Sequence, residues 1–153
     1  MCGWPALVGT TIAVGVTDGA TKVFAERHLD EAVALAGGAQ LRVSHNSGMA
    51  FGALDGASDL LVLGLVLTAI GALVVVASRG TFGDNRLVIG LVLGGALANV
   101  VDRIEGGGVT DFIDLGAWPS FNVADAALTV GVLGMLWQVS REPNAATRPG
   151  APA

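Results

Sequence analysis

Two aspartates in the C-terminal third of the chain, Asp111 and Asp125, have the residue type and spacing of an acid–base pair. Asp111 lies in the segment GGGVTDFIDLGAWPS, which lets carboxylates from separate backbone segments meet. Two carboxylates about 3 Å apart cannot both ionise, so one keeps its proton. The ionised member can then take a proton from water while the neutral one donates to a carbonyl oxygen. Asp114 is equally eligible on spacing alone, so the pattern leaves the choice of pair open.

Other polar residues recur at helical spacing in the chain. Residues at i, i+3 and i+4 share one face of a helix, so each group below can act together. The groups are Asn99, Asp102 and Arg103; Asn122 and Asp125; and Asp18 and Lys22. A pairing of Asp102 with Arg103, or of Asp18 with Lys22, is more readily a structural ion pair than a catalytic group.

The composition excludes several classes of protein. The chain has 153 residues, of which 52% are hydrophobic and 14% charged, whereas a soluble domain carries about 25% charged residues. One cysteine rules out a disulfide scaffold, and the 23 glycines form no collagen repeat. The net charge of −5, without a basic cluster, argues against a nucleic-acid partner. The sequence therefore predicts a small integral membrane protein.

Four apolar segments are long enough to serve as membrane spans. Leu60–Ala77 is the clearest, because its eighteen residues contain no charge. The others run over about residues 4–24, 87–104 and 121–139, and each has polar residues at the end that faces the same side of the membrane. We expect an all-α integral membrane protein of four transmembrane helices.

Basic residues predict the orientation of these spans. Four spans place both termini on one side, and the short connection at 78–86 carries Arg79 and Arg86. The positive-inside rule puts that loop and both termini in the cytoplasm. We expect one membrane-embedded domain over residues 1–140 and a disordered cytoplasmic tail over 141–153.

The segment between the first two spans is too long for a simple turn. Residues 25–36 predict a short amphipathic helix that Gly37 and Gly38 end. Alternation over 40–46 predicts a strand, followed by a turn at 46–48. Together they predict a small extracytoplasmic cap with short strands and a short helix.

Other functions fit the residues less well. The chain has no H-E-x-x-H motif, His28 and His45 lack metal-ligand neighbours, and the serines lack nearby His/Asp partners. The main alternative is a small transporter or channel subunit, which would conduct through intramembrane carboxylates spread across the membrane. Its candidate residues are Asp18, Asp102, Asp111 and Asp125, which instead cluster toward one side.

Four segments resemble, in order, the motifs of the bacterial lipoprotein signal peptidases, also called type II signal peptidases. They are Asp18-Gly-Ala-Thr-Lys22; Asn46-Ser-Gly48-Met-Ala-Phe51; Gly94-Gly-Ala-Leu-Ala-Asn99-Val-Val-Asp102-Arg103 with Asp111-Phe112 after it; and Phe121-Asn122-Val-Ala-Asp125. Together they cover the spans and the cap.

The resemblance implies an intramembrane aspartic endopeptidase of the bacterial inner membrane, with both termini cytoplasmic. Such an enzyme removes the signal peptide of a lipid-modified prolipoprotein by cutting before the diacylglyceryl-cysteine. It implies no metal and no organic cofactor. The partners are the prolipoprotein and membrane lipids, and we expect a monomer.

The resemblance also assigns roles to individual residues. Asp111 and Asp125 match the catalytic pair, which decides against Asp114. Residues that match positions shaping the site or contacting substrate are Asn46, Gly48, Asn99, Asp102, Arg103 and Asn122. Asp18 and Lys22 match a structural pair.

The chain departs from the family pattern in three places. Ala98 stands where the family often has glycine, and Ala126 where it often has serine. The loop over residues 112–120 is shorter than in many members. These departures bear on substrate preference more than on the reaction.

Because residues 40–46 offer a strand edge, an extended peptide could be held there.

Overall fold

A computed structural model describes residues 3–46 and 86–141, and within the intervening segment only Gly64, Thr68, Gly71 and Val75. The described part is mostly helical with one small sheet. Its elements in chain order are α1 (Gly3–His28), β1 (Val33–Ala34), a 3-10 turn (Ala36–Gly38), β2 (Gln40–Asn46), α2 (Arg86–Gly106), β3 (Val109–Asp114) and α3 (Val123–Arg141).

Helix α2 lies between α1 and α3, and glycines allow it to pack closely against both. A Cβ atom at Gly94 would lie 2.7 Å from the Val14 Cβ atom of α1. On the other side, a Cβ at Gly95 would clash with the backbone of α3 at Ala124. Small residues at these positions let the helix backbones approach closely. In a membrane, lipid removes the hydrophobic driving force between helices, so close packing of this kind holds apolar helices together.

The contacts also fix the directions of the helices. Gly90, near the start of α2, lies against Leu7, near the start of α1, whereas Lys22 and Asn99 meet toward the far ends of the same two helices. Helices α1 and α2 are therefore parallel. Helix α3 is antiparallel to α2, since Gly95 faces its first turn and Val88 faces Gly134.

Asn46 and Arg86 lie at opposite ends of the described helices. Asn46, which ends β2, contacts Asp111 at one end of the helices. Arg86 begins α2 at the other end, where its guanidinium group lies 4.3 Å from the centre of the Trp4 ring.

The predicted spans have different outcomes. Those over about 4–24, 87–104 and 121–139 correspond to α1, α2 and α3, each with shifted boundaries. Among the helices described, Arg86–Gly106 has the length and hydropathy to cross a membrane, with a mean hydropathy of 1.8 in its most apolar window. Leu60–Ala77, Gly48 and the tail from 142 onward lie outside the described residues.

The predicted amphipathic helix over 25–36 is wrong. Helix α1 continues to His28, because Ala25 is buried and keeps facing the bundle. Beyond it, Val33 and Ala34 pair with Leu41 and Gln40 of β2 in an antiparallel ladder. The two glycines of the intervening turn, 37 and 38, have φ values of 75° and 83°, so they reverse the chain between two strands rather than end a helix.

The strand predicted over 40–46 is confirmed as β2, whereas the positions of β1 and β3 were not predicted. Residues Val109–Asp114 form β3, which pairs antiparallel with β2 in a sheet of order β1-β2-β3. The register sets Ser44 opposite Asp111 and Asn46 opposite Val109. The sheet thereby brings the end of β2 next to Asp111.

Candidate active site

Asp111 lies on β3 in a buried position, 2% exposed. Its Oδ1 atom accepts a hydrogen bond from Asn122 Nδ2 at 2.8 Å, and its Oδ2 atom accepts one from Asn46 Nδ2 at 3.3 Å. Two separate segments therefore hold this carboxylate: the end of β2 and the residue that precedes α3.

Asp125 lies in the first turn of α3, where a reciprocal cap fixes it. The Asp125 amide donates to Asn122 Oδ1 at 2.9 Å, and the Asn122 amide donates to Asp125 Oδ2 at 3.3 Å. This is the arrangement of a capping box, with Asn122 as the N-cap residue and Asp125 three positions later. The other oxygen of Asp125 accepts a hydrogen bond from Asn99 Nδ2 of α2 at 2.8 Å.

Asn122 joins the two candidate aspartates. It is fully buried, and its side-chain nitrogen also lies 3.2 Å from Asn99 Oδ1 and 3.3 Å from the Thr110 carbonyl oxygen. Because a buried amide must satisfy its donors and acceptor, these contacts restrict the residue to one orientation. The two carboxylates thus flank a single fixed side chain.

The surroundings of Asp111 favour its protonated form. Burial raises the pKa of the Asp111 carboxyl from the ordinary 3.8 to about 6, and the negative charge of Asp125 adds to the rise. Hydrogen bonds from Asn46 and Asn122, and the charge of Lys22, act in the opposite direction. Asp125 is therefore close enough to Asp111 for its charge to affect the pKa of the Asp111 carboxyl.

A buried ion cluster adjoins the two aspartates. Lys22 Nζ lies 2.5 Å from Asp18 Oδ2, which confirms the predicted pairing, and 2.7 Å from Asp102 Oδ2. Lys22 also donates to Asn99 Oδ1 at 3.2 Å. The suggested pairing of Asp102 with Arg103 is wrong, because consecutive residues on a helix point in different directions and Asp102 faces α1.

Other predicted residues lie near the pair or apart from it. The Arg103 side chain donates to the Asn99 carbonyl oxygen at 3.0 Å. Asp114 lies away from the pair: Gln40 and the Gly116 amide donate to it, which lowers the pKa of its carboxyl, and Arg42 adds an ion pair. His28 and His45 are both exposed.

Sequence reasoning missed two contributions of the backbone. The amide of Thr110 donates to Asp102 Oδ2 at 3.2 Å, and the amide of Ala124 donates to Asp18 Oδ1 at 2.8 Å. Backbone groups carry no signal in residue type. The alternation in Val-Thr-Asp-Phe-Ile-Asp over 109–114 could nevertheless have indicated the strand that presents Thr110.

Comparison with known proteins matches these features to one family. A family profile described as signal peptidase (SPase) II matches residues 10–141, which includes every described element of the site. The chain belongs to the signal peptidase II family. This confirms the resemblance seen in the motifs, and it gives no support to a transporter or channel subunit.

Individual relatives agree with this assignment. A lipoprotein signal peptidase of Moorella thermoacetica is 44% identical over 98 residues, which is 62% of this chain and 64% of the relative. One of Dehalococcoides mccartyi is 40% identical over 97 residues, and the chain spans 61% of its length. The match to a Methylobacterium lipoprotein signal peptidase is 38% identical and covers 95% of this chain and 98% of the relative.

Solved structures share the fold. Two structures described as a bacterial membrane enzyme superpose with TM-scores of 0.80 and 0.76, at 23% and 24% sequence identity. The alignment with the first structure covers 98% of this chain and 96% of the solved chain. The arrangement of three described helices and a small sheet is therefore that of known membrane enzymes.

Proposed function

We propose that this protein is an intramembrane aspartic endopeptidase that removes the signal peptide from lipid-modified prolipoproteins, cutting before the diacylglyceryl-cysteine. The observation that carries the proposal is the buried Asn122, which bonds both Asp111 and Asp125 within a chain of the signal peptidase II family. Relatives named lipoprotein signal peptidase support the substrate class.

The geometry supports a direct hydrolytic mechanism. The ionised Asp125 takes a proton from a water molecule, which attacks the carbonyl carbon of the scissile bond, while the protonated Asp111 donates to the carbonyl oxygen. The tetrahedral intermediate then breaks its C–N bond as Asp125 gives the proton that it took from water to the amine of the leaving cysteine. Asp111 recovers its proton from the hydroxyl group of the intermediate as the carbonyl re-forms. No metal or cofactor is needed, because the two carboxylates supply both proton transfers.

Four membrane spans account for the direction of the helices. Since α1 and α2 are parallel, the chain between residues 46 and 86 must travel from the site end to the Trp4 end. We propose that Leu60–Ala77 makes this passage as the second span. At 1.5 Å per residue, eighteen residues reach about 27 Å, which nearly crosses a hydrocarbon core of roughly 30 Å.

Aromatic and basic side chains support a depth for the site. Trp4 beneath Arg86, and Trp137 with Arg141 4.1 Å above its ring centre, lie at the end away from the aspartates. Trp residues concentrate at membrane–water interfaces. Positions 125 and 137 of α3 are about 18 Å apart at helical rise, so the site lies toward the opposite surface of the membrane.

That depth suits a lipid-modified substrate. Acyl chains on the cysteine stay in the bilayer, so the scissile bond lies near the outer interface. The proposal places the protein in the bacterial inner membrane with both termini in the cytoplasm. Because one chain supplies every group of the site, we propose that it acts as a monomer in contact with membrane lipids.

The test is cleavage of a synthetic precursor peptide with a diacylglyceryl-cysteine by purified protein. Wild type should release the signal peptide at the bond before the modified cysteine, as located by mass spectrometry. Asp111→Asn and Asp125→Asn should each lower kcat by about 10²- to 10⁴-fold, the usual contribution of general acid–base catalysis. Asp114→Asn, which changes a carboxylate on the same strand outside the pair, should retain activity.

Several results would contradict the proposal. Full activity in Asp125→Asn would exclude the aspartic mechanism, as would inactivation of the wild type by a metal chelator. Equal cleavage of the precursor without lipid would exclude the lipid-modified substrate class. Ion flux in liposomes, lost in both Asn variants while no peptide is cut, would favour the transporter alternative.

A further inference from the structure

A single buried lysine connects three polar side chains beside the aspartate pair. Lys22 is 4% exposed, and its ammonium group contacts Asp18, Asp102 and the Asn99 carbonyl oxygen. An ammonium group has three N–H donors, so these contacts use all of them. A buried ion pair is costly to desolvate and is by itself weak evidence of a stabilising role. Stabilisation alone therefore does not explain why these charges are buried together.

Each carboxylate of the cluster also holds a backbone amide. Asp18 Oδ1 accepts from the Ala124 amide at 2.8 Å, and Ala124 immediately precedes Asp125. Asp102 Oδ2 accepts from the Thr110 amide at 3.2 Å, and Thr110 immediately precedes Asp111. Each candidate catalytic aspartate thus follows a residue whose backbone amide donates to a carboxylate of the cluster.

Regular structure gives the Ala124 amide no partner. Ala124 is in the first turn of α3, where backbone N–H groups have no acceptor within the helix. A carboxylate at that position also interacts favourably with the helix dipole. Thr110 lies at the start of β3, and its hydroxyl donates to Glu26 Oε1 of α1 at 2.9 Å. The starts of both segments are therefore attached to α1 and α2.

We infer that Asp18 and Asp102 are positioning residues, each holding the backbone of one candidate catalytic aspartate, and that Lys22 ties the two together. A displacement of either segment moves one carboxylate relative to the other, and a misplacement of 1 Å can cost about 10²-fold in rate. Lys22 reaches the pair by a third route, because it contacts the Asn99 oxygen and the Asn99 amide donates to Asp125.

The experiment compares asparagine with leucine at both positions in the peptidase assay, and so rests on the proposed function. Asparagine keeps an oxygen that can accept the backbone N–H, whereas leucine removes it, and both remove the charge. Rates are expressed per folded enzyme, measured by gel filtration and thermal unfolding in detergent. Asp114→Asn and Asp114→Leu are the matched controls, because Asp114 also accepts a backbone N–H, that of Gly116.

Positioning predicts a graded result. Asp18→Asn and Asp102→Asn should keep kcat within about tenfold of wild type, and the leucine variants should lose about 10²-fold, with KM little changed. A purely structural ion cluster predicts an equal kcat per folded enzyme for asparagine and leucine at each position, with any loss confined to the amount of folded protein. That equality would overturn the inference.

A pH profile keeps the inference testable if the leucine variants do not fold. Among the described residues, the charges that act on Asp111 are those of Lys22 on α1 and Asp125 on α3, and Lys22 is paired with Asp18 and Asp102. Removing the positive charge in Lys22→Gln should raise the pKa of Asp111 and shift the alkaline limb of kcat/KM to higher pH, because the Lys22 charge lowers that pKa. The fraction of folded enzyme does not alter that midpoint, so an unchanged limb would overturn the inference. Absence of cleavage by the wild type would instead reject the proposed function.

Discussion

Asn122 shows how an uncharged side chain can determine the properties of two acids. Its amide nitrogen donates to Asp111, its amide oxygen accepts from the backbone of Asp125, and no part of it is exposed to solvent. An amide does not titrate in the range where carboxyls do, so these contacts persist as the pair gains or loses a proton. The residue thereby holds the acids in place without competing for the proton.

The protonation of Asp111 gives a pH dependence with a definite sign. Below its pKa of about 6, Asp111 keeps the proton that the proposed mechanism requires it to donate. Above that value Asp111 loses this proton and the acid is lost. We expect kcat/KM for a lipidated peptide to fall as the pH rises through about 6, measured at constant ionic strength.

A variant at Asn46 checks the cause of this behaviour. Its hydrogen bond lowers the pKa of Asp111, so Asn46→Ala should raise that pKa and move the alkaline limb to higher pH. Arg42→Ala is a control on the same strand, since Arg42 pairs with Asp114 instead. A shift to lower pH in Asn46→Ala, or the same shift in both variants, would contradict this account of the pair.

Among the elements, α2 determines how close the other two helices come to the site. Its glycines face α1 at 90 and 94 and α3 at 95. The contact at Gly95 is against the backbone of Ala124, one residue before Asp125. Packing at Gly95 therefore affects the position of Asp125.

Gly95→Ala should lower both stability and activity. The added methyl group would overlap the Ala124 backbone and force α3 away, at a cost of about 1–3 kcal/mol. We expect a lower unfolding temperature in detergent and a reduced kcat for the folded fraction. Gly15→Ala is the control, because a Cβ there has nothing within 4 Å among the atoms compared, and alanine favours a helix. Equal behaviour of the two variants would show that the close contact at Gly95 does not matter.

For the whole molecule, the proposed topology puts the two ends of the described bundle in different compartments. Asp30 follows α1 at the site end and Ser140 lies near the end of α3, and both are exposed. In a Cys2→Ser background, Asp30→Cys in spheroplasts should react with a membrane-impermeant maleimide. Ser140→Cys should react only after permeabilisation. Reaction of both in intact spheroplasts would contradict the spanning arrangement, and the reverse pattern would contradict the orientation.

The sequence by itself determined the helices and most of the polar residues of the site. Apolar length predicted three of the described helices, and alternation predicted β2, because both depend on local pattern. The motif order gave the family, which the profile match confirms. These signals are local in the chain, so they do not require knowledge of which elements become neighbours.

Only the tertiary structure decided the partners of those residues. Residues 25–36 favoured a helix by pattern, but pairing of Val33 and Ala34 with β2 overrode that preference. Asp102 stands beside Arg103 in the chain yet binds Lys22, since helix geometry turns it toward α1. The backbone amides of Thr110 and Ala124 complete the cluster, and residue type cannot reveal them. Contacts between distant segments depend on packing, and local sequence does not encode packing.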